Sequence, residues 1–289
     1  MTKRQLTATD AFDLRQALHV ATLDALMASR RWQPGDIVFQ GGTSLHLAHG
    51  SPRFSEDLDF LVNASLRLDS VSESIKIRLE GTHWLPSDTH LTVSKAKDGR
   101  NPHAFVVTIG GAEVLGAIRV KVEMWQTAES ALSTIKATVA PVRLARGPAA
   151  GMQTFVPTAD LAEIYADKVF ALAARPYLKP RDVFDLHWLD KHSGMHACTM
   201  NDLLVRLATY PNETPSAWLA KASVRRSELE KSSKTITNDL KRWLPSTWPL
   251  NEACVKEMIA TAVLSLDLGM EIMQKIDTER KTHYQNRKP

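Results

Sequence analysis

Cysteine is nearly missing from this chain: two residues, Cys198 and Cys254, in a length of 289. Their spacing fits no zinc or iron–sulfur ligand pattern, and so few thiols argue against a disulfide-stapled secreted scaffold. No apolar run approaches the roughly 18 residues needed to cross a bilayer. The stretch from Met1 to Gln5 is polar and leads into an amphipathic segment, not into the apolar core of a secretion signal, so the expected location is the cytoplasm. A strong excess of one charge is absent too. The 36 Lys and Arg against 32 Asp and Glu leave +4, too little to mark a dedicated nucleic-acid binder, although a pI of about 9.0 suits RNA or a nucleotide as partner. Internal repeats and low-complexity tracts are likewise missing.

What is present is a globular composition, 44% hydrophobic and 24% charged, long enough for one large domain or two modest ones. Asp10 is placed to cap a helix over 11–31, whose Leu14, Leu18, Ala21 and Ala25 share a face. Ile37-Val38-Phe39 reads as a short buried strand, Gly41-Gly42 as a turn, 43–48 as a short helix, and 58–62 as a second strand. A helix over 69–80 precedes strand-like runs at 91–94, 104–109 and 115–125, with Gly110-Gly111 suggesting a hairpin. In the last run Ile118, Val120, Val122 and Met124 alternate with Arg119, Lys121 and Glu123. Beyond Thr158 the pattern is helical: 159–174, 180–191, 200–209, 215–231 and 251–281. The expected division falls at about residue 150. Residues 1–150 form an α/β (α+β) domain with a mixed sheet and flanking helices, and 151–289 form a helical domain.

Chemistry concentrates in two neighbouring stretches, Gln40-Gly41-Gly42-Thr43-Ser44 and Arg53-Phe54-Ser55-Glu56-Asp57-Leu58-Asp59-Phe60. Backbone amides of a glycine turn at a helix start, with a hydroxyl beside them, suit a phosphate. Residues i and i+2 of a strand share a face, so Asp57 and Asp59 present two carboxylates side by side, an oxygen donor pair for Mg²⁺ or Mn²⁺. Either feature alone is commonplace. Together, in a strand whose Leu58, Phe60, Leu61 and Val62 are apolar, they place paired carboxylates where a cation would offset their burial. His46 and His49 are three apart, but no further Cys or His completes a zinc site. Trp188, Trp218, Trp243 and Trp248 read as packing residues. His187, His192 and His196 flank a helix that carries Arg181 and Asp182. The basic groups Arg225-Arg226, 231–234 and 280–288 fit a solvated face or RNA phosphates equally well.

Gly42-Thr43, thirteen intervening residues and then Asp57-Leu58-Asp59 resemble the signature of the polymerase-β-like nucleotidyltransferases. More narrowly, GGTSLHLAHGSPRFSEDLDF resembles the AbiEii-type nucleotidyltransferase toxins of abortive-infection and type IV toxin–antitoxin systems. Asp167-Lys168, followed by Lys179-Pro180-Arg181-Asp182-Val183-Phe184-Asp185-Leu186, resembles that family's second motif block, so the likeness runs from about 37 to 190. It implies that Asp57 and Asp59 bind the metal, and that Glu123 is a third carboxylate acting on the attacking hydroxyl, a cross-strand ion pair being the alternative. It implies that Lys168 neutralises phosphate charge, with Asp182 or Asp185 orienting it. Gly41, Gly42, Thr43, Ser44, Arg53, Ser55, Arg181 and Asp182 are then the nucleotide-binding set. Ser55 stays open between a backbone cap, a nucleotide contact and a modification point. Many relatives carry a basic residue where this chain has Gln40.

The implied activity is transfer of a nucleoside monophosphate from an NTP to an acceptor hydroxyl, with the tRNA 3′ end the expected acceptor. A cognate antitoxin and a role in phage defence are implied with it. Two other functions fit the same motifs: a small-molecule nucleotidyltransferase of the antibiotic-modifying kind, and a nucleotide-binding module without turnover.

Overall fold

The computed structural model describes residues 3–94, 100–193, 198–210 and 212–285. By contact the chain forms two compact units, the first comprising 1–50 and 55–159, the second 51–54 and 160–289.

The first unit runs β1 (Arg4–Gln5), α1 (Ala8–Ala28), β2 (Ile37–Gln40), α2 (Gly41–Leu47), β3 (Leu58–Asn63), α3 (Val71–Leu79), β4 (His90–Val93), β5 (His103–Gly110), β6 (Val114–Leu115), β7 (Ile118–Thr127), α4 (Glu129–Leu132), β8 (Ala137–Arg143) and β9 (Gln153–Ala159). Among the described residues its main sheet has the order β4-β5-β7-β3-β2-β9-β8. Pairing is mixed: β3 runs parallel to β7 and β2 to β9, while β2–β3, β5–β7, β4–β5 and β8–β9 are antiparallel. One face carries Phe39, Phe60, Phe105, Val120, Val122 and Met124, which pack with Leu14, Leu18 and Leu26 of α1 and Ile75 of α3. That leaves Asp59, Lys121 and Glu123 on the other face, as the period of two demands.

Several expectations shift. Thr7, not Asp10, caps α1: its side chain accepts from the Asp10 amide, three residues on, so the helix starts at Ala8. Gly41 and Gly42 are not a separate turn; they open α2 directly from β2. The run 115–125 is interrupted at Gly116, which sits at φ +88°, and splits into β6, paired with β1, and β7. Residues 137–143 and 153–159 form a hairpin with no counterpart in the sequence pattern. β8 is an edge strand exposed over most of its length, so it lacks the alternation by which strands are recognised. Because β9 pairs with β2, the first unit ends after Ala159, not near 150. Thr158 accordingly lies in β9, and Asp160 is the N-cap of the next helix.

The second unit holds α5 (Leu161–Ala174), α6 (Pro180–Ser193), α7 (Met200–Thr209), α8 (Pro215–Leu229), α9 (Ser233–Leu240) and α10 (Glu252–Gln285). Trp218 is wholly buried and donates its indole N–H to the Phe170 carbonyl. Trp188 stacks on His192, and Trp248 meets Phe184 edge-on, so these tryptophans pack as expected. A Cβ placed on Gly269 of α10 would lie 2.8 Å from Val169 Cγ1 and 3.1 Å from Trp218, so glycine lets three helices converge there. Among the described residues no helix is long and apolar enough to cross a membrane.

Candidate active site

β3 sets the geometry of the first unit's polar face. Its register places Asp59 beside Gln40 of β2 on one side and beside Glu123 of β7 on the other. Asp57 lies two residues before Asp59, at the strand entrance. Lys121 lies two before Glu123 on β7 and holds its carboxylate at 2.5 Å. That bond raises the Lys121 ammonium above its ordinary pKa; burial opposes it, and the charges of Glu123, Asp57 and Asp59 add to it. One face of β3 and β7 therefore holds Asp59 beside Glu123 and its partner Lys121, and the charge of Asp57 reaches that lysine from the strand entrance.

Gly41 is required here for two separate reasons. Its φ is +80°, a region side chains rarely adopt, and a Cβ on it would fall 2.6 Å from Asp59 Oδ2. The start of α2 thus comes close to the carboxylate only because no side chain intervenes. Thr43, fully buried, donates its hydroxyl to the Asp57 carbonyl in a short hydrogen bond. His19, buried in α1, meets the carbonyl of Glu56 through Nε2 at 2.9 Å. Burial, first of all, drives its pKa down to about 4, so His19 is neutral and Nε2 is the donor. Two successive carbonyls leading into β3 are in this way fixed by side chains from two helices. His46 engages Gln16 at 2.6 Å and His49 engages the Ala159 carbonyl at 3.0 Å, so both histidines are tied into structure. Ser44 is completely buried, its hydroxyl without a hydrogen-bond partner among the described residues, while Ser55 is half-buried.

The other expected site residues assemble within the second unit. Arg53 belongs to it despite standing four positions before Asp57, and only 2% of it is exposed. Its guanidinium grips Asp185 through both oxygens, at 2.5 and 2.7 Å. Lys168 of α5 reaches Asp182 at 2.6 Å and Asp185 at 2.8 Å on α6, and Arg175 meets Asp182 at 3.4 Å. Burial alone would push both carboxylates up. Lys168, Arg175 and Lys179 outweigh it at Asp182, and Arg53 and Lys168 at Asp185, holding both below the usual carboxylate range. The same balance, burial against two aspartates, raises Lys168. Arg181 lies over the Trp243 ring, 4.4 Å from its centre.

Arg175 is the member of this group that the sequence reading missed. Its signal was a basic residue at a helix end followed by proline, a common C-terminal device with no chemistry of its own. Arg225, read as half of a basic surface pair, is instead buried, donating to the Leu172 and Arg175 carbonyls and pairing with Glu228. Its neighbour Arg226 pairs with Asp267 and Glu230. His187 meets Thr261 and His192 the Trp188 carbonyl; His196 and 286–289 lie outside the described residues. Among the described residues no three Asp, Glu, His or Cys side chains stand as a preformed metal-binding group. A cleft of about 590 Å³, lined by Ala25, Arg78, His83 and Trp84, opens on the α1–α3 layer, away from the face that bears Asp59.

A mixed sheet with paired carboxylates beside a strand-to-helix glycine, followed by a helical unit, is a fold shared with solved structures. MenT4, a nucleotidyltransferase toxin of Mycobacterium tuberculosis H37Rv, has TM-score 0.54 at 17% identity, covering 89% of this chain and 85% of its own. JHP933 of Helicobacter pylori has TM-score 0.51 at 20% identity, over 98% of this chain and 100% of its own. A further structure described as a nucleotidyltransferase from H. pylori has TM-score 0.50 at 17% identity, over 94% and 99%. No curated protein matches the chain. Residues 24–250 match the AbiEii nucleotidyl transferase toxins of type IV toxin–antitoxin systems, and the chain belongs to that family. It is thus a toxin-type nucleotidyltransferase, an enzyme whose class implies a nucleotide substrate and an antitoxin partner.

Proposed function

We propose that this protein transfers a nucleoside monophosphate from an NTP to a hydroxyl of RNA, the 3′ end of tRNA being the acceptor and pyrophosphate the leaving group, in a cytoplasmic phage-defence system. The observation that carries the reading is the register Gln40–Asp59–Glu123, with Asp57 at the strand entrance and Lys121 paired with Glu123. Hard carboxylate oxygens on one sheet face are the donors that Mg²⁺ or Mn²⁺ takes, and the pairing of Lys121 with Glu123 on that face supports a site for positive charge. Asp57 and Asp59 would hold the metal, which when bound neutralises the triphosphate and acidifies the attacking hydroxyl. Glu123 accepts the proton of that hydroxyl, and Lys121 sets the carboxylate's orientation. Thr43 and His19 fix the backbone from which Asp57 projects. Lys168 keeps its charge well above neutral pH, the state that phosphate neutralisation requires, and Asp182 and Asp185 orient it.

The test is incubation of the full chain with Mg²⁺, total tRNA and each α-³²P-labelled NTP. Label on tRNA that disappears with Asp57→Ala and with Asp59→Ala is expected. Absence of label on RNA with all four NTPs would overturn the acceptor assignment, and label moving to a small molecule or to protein would identify its replacement.

A further inference from the structure

The turn joining α5 to α6 reads Arg175-Pro176-Tyr177-Leu178-Lys179-Pro180-Arg181, and it combines features that the buried cluster beside it does not use. Tyr177 is 60% exposed, one of the few large hydrophobic side chains of the described residues to face solvent so openly. Lys179 and Arg181 are half-buried, yet neither makes an ion pair with a carboxylate among the described residues. The carboxylate that Lys179 senses is Asp182, and Asp182 is already taken by Lys168 and Arg175. Burial, followed by the charge of Arg175, accordingly moves Lys179 below the ordinary lysine range.

The turn is also built to keep its shape. Arg225 donates to the carbonyls of Leu172 and Arg175, the Arg175 amide closes on Ala171, and the Asp182 amide donates to the Lys179 carbonyl at 2.9 Å. Prolines at 176 and 180 restrict it further. A surface-facing aromatic ring on a fixed turn, with a lysine beside it that makes no ion pair among the described residues, is an arrangement by which proteins hold single-stranded nucleic acid. The ring stacks on a base and the lysine meets a phosphate beside it.

From this we infer that the α5–α6 turn is a binding site for single-stranded RNA, with Tyr177 stacking on a base and Lys179, supported by Arg175, contacting the backbone phosphate. The inference rests on the RNA-acceptor reading above and names where the second unit holds that acceptor.

Fluorescein-labelled unfractionated tRNA, without NTP, is titrated with the full chain and with Tyr177→Ala, Lys179→Gln and Lys179→Arg at several salt concentrations. Tyr177→Ala should weaken binding roughly fivefold or more with an unchanged salt slope, as lost stacking predicts. Lys179→Gln should weaken it severalfold and flatten the slope by about one contact, whereas Lys179→Arg retains it. Equilibrium dialysis of each NTP should be unaffected by any of the three, and circular dichroism melts confirm that they fold. Unchanged tRNA affinity in Tyr177→Ala and Lys179→Gln overturns the site, as does a loss confined to NTP binding. Should tRNA binding depend on both residues while the wild-type chain labels no RNA, the transferase reading falls and the site stands. Should labelling proceed with tRNA binding indifferent to both, the site falls and the reading stands.

Discussion

Gly41 is where a single hydrogen atom decides whether the carboxylate pair can form. Alanine there would combine a positive φ with a Cβ 2.6 Å from Asp59 Oδ2, a strain of about 1–3 kcal/mol that is relieved by moving the carboxylate or the helix start. Gly41→Ala should lose transfer activity by about 10²-fold, the scale of a misplaced catalytic group, while the melting temperature drops only a few degrees; activity within threefold of wild type would show that the close approach is dispensable. His19 offers a second residue-scale prediction. Its folded pKa of about 4 lies below the ordinary 6.5, so the unfolded chain binds the proton first and stability falls as pH drops through that window. Denaturant unfolding should show about 2 kcal/mol lost between pH 7.5 and 5, and His19→Phe should abolish this part of the pH dependence. Much of this scale could be read in advance. The i, i+2 spacing puts Asp57 and Asp59 on one face, whereas Glu123 came only with the family resemblance; neither says that Thr43 serves the Asp57 carbonyl or that Ser44 is sealed away.

The α5–α6 pair illustrates the element scale, because its two helices are joined through charge in a buried place. Breaking a buried pair leaves the partner uncompensated, so Asp185→Asn should destabilise the chain by about 3–5 kcal/mol in urea unfolding. Arg53→Met combined with Asp185→Leu should cost less than the sum of the single changes, since neither charge is then stranded. Additivity would mean that the two side chains act independently despite their contact. Gly269 in α10 tests packing instead of charge. Alanine there gains about 1 kcal/mol of helix propensity but drives a Cβ into Val169 and Trp218, an overpacking cost of about 1–3 kcal/mol. The expected result of Gly269→Ala is net destabilisation, and a raised denaturation midpoint would show that the helices can part without cost. The helices were legible because their apolar residues recur with the helical period. The β8–β9 hairpin was not, because an edge strand open to solvent is under no pressure to alternate.

At the scale of the whole molecule, membership of the toxin family leads to a prediction in cells. Induced expression of the chain should arrest growth, and Asp59→Ala should relieve the arrest at equal protein level; arrest that persists in this variant would separate toxicity from nucleotidyl transfer. The sequence by itself determined most of the helices, the strands around the glycine turn and the carboxylate motif, because periodicity and i, i+2 spacing are local properties that the chain carries wherever it folds. Tertiary structure decided the rest. Asp59 neighbours Glu123 because β3 and β7 pair in register across some sixty positions, and the first unit reaches Ala159 because β9 joins β2. Arg53, four residues from Asp57 in the chain, is committed to Asp185 because a buried guanidinium must find a carboxylate and that one lies 132 positions away. Contacts at such separations depend on how the elements pack, and no local pattern records them.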